Sequence, residues 1–111
     1  MYDYVEVYGN EDYTKFLRIE EFQELFSDRP DIEKSSHASF IWTIGDFGIR
    51  IQGIHCDRNG NYSFNSDHTF KQVNLIEFCL PQHSESIHDA EIRALVSETA
   101  QKIGWEIHWR E

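Results

Sequence analysis

Residues 40–80 constrain this chain more than any other stretch. In succession they read FIWTI, GDFG, IRIQGIHCD, RNGN, YSFNSDHTFKQ and VNLIEFCL, short apolar and aromatic runs parted by Gly-rich or Asn-Gly turns. Runs this short, rich in Ile, Phe, Trp, Tyr and Val, form β-strands joined by tight turns. Strands are expected over 40–44, 49–57, 62–65 and 72–80. Asn59-Gly60 is the strongest turn signal, because both residues tolerate the positive φ of a type I′ hairpin. Pro81 should end the last strand.

The flanks add helices. Residues 2–8, YDYVEVY, alternate in the manner of a strand. Gly9-Asn10 ends that strand, and Asn10 or Asp12 can cap a helix over 12–27. Phe16, Ile19, Phe22 and Phe26 recur at helical spacing as its buried stripe, flanked by Leu25. Asp28-Arg29-Pro30 stops it, since the residue before proline resists the α region. Residues 31–39 are polar and without period, and read as a loop. A second helix over 86–103 carries Ile92, Leu95, Val96, Ala100 and Ile103 on one face, with Gly104 at its C′ position. Trp105, Ile107 and Trp109 then alternate with Glu106, His108 and Arg110 as a last strand.

The expected architecture is one α+β domain over 1–111, in the order β-α-β-β-β-β-α-β. Its sheet is mostly antiparallel, with the two helices packed on one face. The strand-helix-strand unit over 72–109 can also pair its strands in parallel through a right-handed crossover. Both faces of the strands at 2–8 and 40–44 carry apolar or aromatic side chains. The face away from the helices is therefore expected to be covered by the 31–39 loop, a dimer mate or another partner.

Composition bounds the function. The chain has 111 residues, 40% hydrophobic and 14% aromatic, enough to bury a core. Ten basic against twenty acidic residues leave a net charge of −10. Binding to nucleic acid or anionic lipid needs clustered Lys and Arg, so that balance argues against both. It favours a cationic partner. The charge is uneven: residues 1–34 carry −6, residues 35–81 −1 and residues 82–111 −3. No apolar run approaches the ~20 residues of a membrane span, and the acidic start lacks the basic region of a signal peptide. A cytoplasmic location is expected, with Cys56 and Cys79 reduced.

The candidate site is the outer face of the first helix. At about 100° per residue, Glu20, Glu21, Glu24 and Asp28 fall together opposite the aromatic stripe, with Leu17 among them. Carboxylates at i, i+3 and i+4 repel one another. A cationic protein would relieve that repulsion, and Leu17 would supply an apolar anchor. A plain solvated face accounts for the same residues.

Other chemistry finds less support. Among six histidines, His55-Cys56-Asp57 with His68 could suggest zinc. Adjacent strand residues point to opposite faces, however, and no CxxC or HExxH occurs. Asp57–Asn61 echoes a calcium loop but lacks its glycine at position six and its carboxylate at position twelve. No GxSxG, P-loop or dinucleotide fingerprint is present. Neither a metal nor a cofactor is expected, and the chain reads as a non-enzyme.

Size, the acidic helix with Glu20, Glu21, Glu24 and Asp28, and the absence of catalytic motifs together resemble one group. It comprises the immunity proteins of bacterial contact-dependent growth-inhibition and polymorphic toxin systems. The resemblance is of general character, without a motif. It implies stoichiometric neutralisation of a cationic, nuclease-like toxin domain. Rival readings are a nucleic-acid-mimicking regulator, a small enzyme or ligand-binding domain with a pocket around Tyr4, Trp42 and Trp105, and a homodimeric module hiding that aromatic face.

Overall fold

The computed structural model describes residues 4–10, 12–45, 47–56, 71–80 and 85–110. The expected strand over 62–65, the Asn59-Gly60 turn and the stop at Pro81 lie outside them. The elements are β1 (Tyr4–Tyr8), β2 (Leu17–Arg18), α1 (Ile19–Glu24), β3 (Ile32–Ser36), β4 (Ser39–Ile44), β5 (Phe47–Ile54), β6 (Gln72–Val73), β7 (Leu75–Cys79), α2 (Glu85–Ile103) and β8 (Glu106–Arg110). Six strands form one sheet in the order β3-β4-β5-β7-β1-β8, every neighbouring pair antiparallel. The α+β architecture is as the sequence leads one to expect. The 72–109 unit differs in pairing: β7 and β8 do not touch, because β1 lies between them and pairs with both.

Register sorts the side chains. One row across the sheet runs Phe40, Ile51, Phe78, Val5, Trp109, and the next runs Gly53, Ile76, Val7, Ile107. All but the two β8 residues are buried, and those two pack against the same core. Both helices cover this face. Phe22 and Phe26 meet Phe40 edge-on at 5.6 and 5.1 Å between ring centroids, and Phe26 meets Phe78 at 6.5 Å. Ile92, Leu95, Val96 and Ala100 of α2 join the same cluster. Each large side chain so buried contributes about 1.5–3 kcal/mol. Gly104 ends α2 with φ +70°, and Trp105 N–H reaches back to Ala100 O at 3.0 Å, as a Schellman cap requires.

The other face carries Tyr4, Glu6, Tyr8, Glu77, Cys79, Arg50, Gln52 and His108. The 31–39 segment does not cover it. Residues 32–36 are not a loop lying on the sheet but its edge strand. What covers part of this face is the segment after β1: Tyr13 packs with Tyr8, Ile54, Cys56 and Leu75 in a small second core. Asn10 does not cap a helix. It closes a turn, its Oδ1 accepting Thr14 N–H at 2.9 Å.

The first helix is also shorter than its period suggests. Leu17 and Arg18 are extended because they pair with Val73 and Gln72, and Ile19 N–H donates to Lys71 O at 2.9 Å. The helix therefore begins at Ile19. After Glu24 the chain tightens into i→i−3 turns, with Leu25, Ser27 and Arg29 donating to Phe22, Glu24 and Phe26. Phe26 stays buried beyond the helix. Phe16 precedes it, is 41% exposed, and meets His55 edge-on instead of entering the core.

Candidate functional site

Glu20, Glu21 and Glu24 all lie on α1 and are exposed, while Phe22 on the inner side is fully buried. Asp28 is exposed too, but it projects from the turns after the helix and not from α1 itself. Three of the four acids therefore belong to one helix and the fourth follows it, so they do not form one helical row. Gln23 fixes the helix laterally, its Nε2 donating to His37 O at 2.8 Å in the β3–β4 turn.

Leu17 is not where the helical period puts it. It stands on β2 and is 8% exposed, so it does not protrude among the carboxylates as an anchor. Its pairing with Val73 turns the side chain inward. It forms part of the floor of an open groove of about 370 Å³ between α1 and the end of α2, lined also by Glu21, Glu24, Leu25, Lys102 and Ile103. Leu17, Leu25 and Ile103 supply an apolar floor, and Glu21 and Glu24 an acidic rim.

One base belongs to this groove. Lys102 Nζ donates to Leu25 O at 3.4 Å and lies 3.6 Å from Glu98 Oε1. Arg18 Nε meets Glu21 Oε1 at 3.2 Å, and the same oxygen accepts the Arg18 N–H at 3.1 Å. That backbone bond, more than the Arg18 side chain, lowers the Glu21 pKa. Both partners are well exposed, so the pair is a weak one. Among the described residues no ion pair involves Glu20, Glu24 or Asp28. Arg29, the nearest base in sequence to Asp28, is bound bidentately to Asp31 at 3.0 and 2.9 Å.

The sequence could place the carboxylates but not Lys102, Leu25 and Ile103 beside them. Leu25 appears only as a flank of the aromatic stripe, and nothing in a single sequence says that the two helix ends meet.

The aromatic pocket expected around Tyr4, Trp42 and Trp105 does not assemble. Trp42 is buried on the helix side of the sheet and Trp105 is buried beyond α2, whereas Tyr4 lies on the opposite face. Beside the small second core, that opposite face holds polar groups. Arg110 Nε binds Glu6 Oε1 at 2.8 Å and its Nη2 donates to Tyr8 Oη at 3.2 Å, while His108 stacks on Tyr8 at 4.2 Å. Cys79 Sγ donates to Glu77 Oε1 at 3.3 Å, and burial with that carboxylate pushes its thiol pKa up, away from the thiolate a nucleophile needs.

Among the described residues no three His, Cys, Asp or Glu side chains converge as metal ligands, and no helix is long and apolar enough to cross a membrane. Asp57 and His68 of the zinc reading, and the whole calcium-like turn Asp57–Asn61, lie outside the described residues. The chain matches no protein-family model, no curated protein and no solved structure.

Proposed function

We propose that this chain is a non-enzymatic inhibitor that binds a cationic protein, in the manner of an immunity protein neutralising a nuclease-like bacterial toxin domain. The observation that carries the reading is the groove between α1 and α2, where an apolar floor lies under the exposed carboxylates of Glu21 and Glu24. Glu20 and Asp28 extend the negative surface beyond it. A Lys or Arg side chain suits such a site, with its methylene stem against Leu17, Leu25 and Ile103 and its charged head at the rim. The partner, on this reading, supplies the inserted group and Leu17 the surface it rests on. Long-range attraction from a net charge of −10 would speed the encounter.

The test asks whether the neighbouring reading frame encodes a large secreted protein with a variable C-terminal domain, and uses that domain as the partner. A one-to-one complex should form. Glu21→Lys/Glu24→Lys should slow association by about tenfold at low salt and flatten its salt dependence. No complex, or association kinetics unchanged in the double variant, overturns the reading.

A further inference from the structure

The sheet ends on two different edges. At one, β3 carries Glu33, Lys34 and Ser35 outward and breaks register with β4 between Lys34 and Ser36. Charges and a bulge are the usual means of keeping an edge from pairing. At the other, β8 holds unbroken register with β1 over all five residues, and no described strand pairs with its outer side. Its outward N–H and C=O groups continue that unbroken register at the sheet edge.

We infer that β8 pairs antiparallel with β8 of a second copy of this chain, about a two-fold axis at His108, joining two six-stranded sheets into one. The sequence of β8 is self-complementary in that register. Glu106 falls opposite Arg110 of the second copy, and Ile107 opposite its Trp109, each twice. Glu106 and Arg110 share the polar face, and Ile107 and Trp109 share the helix-covered face. The pairs off the axis therefore join apolar to apolar side chains or opposite charges, and on the axis His108, stacked on Tyr8, faces its own copy.

A shift of one residue would set apolar against polar side chains and put the helices of the two copies on opposite sides. A shift of two would keep the faces but leave one end of β8 unpaired and lose the Glu–Arg contacts. The same operation on β3 would centre on Lys34 and bring two lysines together.

Arg110 can serve both roles. Its Nε and Nη2 engage Glu6 and Tyr8, and a guanidinium carries five N–H donors. Glu106 is well exposed, its side chain 61% accessible. Arg93 lies over Trp109 at 4.6 Å and holds that ring at the edge of the apolar face. The contact is isologous, so assembly closes at two copies and does not propagate.

Sedimentation velocity on the full chain decides this. Twice the 13.2 kDa chain mass is expected, with dissociation in the micromolar range because one strand pair makes a small interface. Glu106→Lys sets Lys against Arg110 at both ends and should weaken the dimer about tenfold or more. Arg110→Glu sets Glu against Glu and should do the same. Mixing the two variants restores opposite charges at both ends, so a heterodimer should return. Circular dichroism checks that each variant is folded. A monomeric wild-type chain at high micromolar concentration overturns the proposal, and so does a dimer that Glu106→Lys leaves intact.

Discussion

At Asp31 the chain turns from the end of the first helical segment into β3, and one carboxylate holds both sides. It accepts two bonds from Arg29 and one from Trp42 Nε1 at 2.8 Å, while its carbonyl accepts Thr43 N–H. The Arg29 hydrogen bonds, against a smaller opposing effect of burial, lower its pKa from 3.8 to about 2. A depressed carboxylate contributes stability above its unfolded pKa and loses it as pH falls through the folded one. Asp31→Asn should therefore cost about 1 kcal/mol in urea unfolding at neutral pH, a modest figure because water screens the pair. The gap to wild type should close between about pH 4 and pH 2. A gap that is unchanged at pH 2 would assign the effect elsewhere.

Asn74 is the buried counterpart. Fully enclosed, it accepts from Cys56 N–H at 2.8 Å and donates to Cys56 O at 2.8 Å and Tyr13 O at 3.1 Å, tying β7 to the segment over the second core. Asn74→Ala strands those groups and should cost about 2–4 kcal/mol, read from the denaturant midpoint. A loss well under 1 kcal/mol would mean that water replaces the amide.

Among the elements, α1 shows how tertiary pairing overrides period. Phe16, Ile19, Phe22 and Phe26 have helical spacing, yet only Ile19 and Phe22 are both helical and buried. Residues 17–18 gain more from pairing with β6 and burying Leu17 than from another helical turn. β3 was illegible for the opposite reason. An edge strand needs one buried face and one hydrogen-bonded side, and Ile32 is its single fully buried residue, so no alternation shows.

The close approach of α1 to the sheet rests on Gly53. A Cβ there would lie 2.9 Å from Val73 Cγ1 and 3.1 and 3.2 Å from the Phe22 ring, all inside the core. Gly53→Ala should destabilise by about 1–3 kcal/mol through overpacking. A thermal midpoint equal to wild type would show that α1 can move outward freely.

For the whole molecule, charge sets the terms. Principal extents of 35 × 26 × 25 Å are comparable to the Debye length of about 30 Å at 0.01 M salt and far exceed that of about 8 Å at 0.15 M. With a net charge of −10, self-repulsion opposes the folded state at low ionic strength. Raising sodium chloride across that range should lift Tm by about 2–5 °C. A flat or falling Tm would mean that local pairs such as Glu6–Arg110 outweigh the net repulsion. Docking of a cationic partner would draw on the same surplus, because a fixed opposite charge at close range neutralises it more effectively than salt does.

Pattern and composition were sufficient for the α+β class, the antiparallel sheet, the stripe and glycine cap of α2, and the exposure of Glu20, Glu21, Glu24 and Asp28. Each of these follows from local preferences or from the hydrophobic period, which act within a few residues. The position of β1 between β7 and β8, the extension of Leu17, the separation of Tyr4 from Trp42, and the meeting of Leu25 with Lys102 were decided only in three dimensions. All four depend on contacts between residues far apart in the chain. Such contacts are chosen by which faces can be buried together, and that comparison is made over the whole core at once.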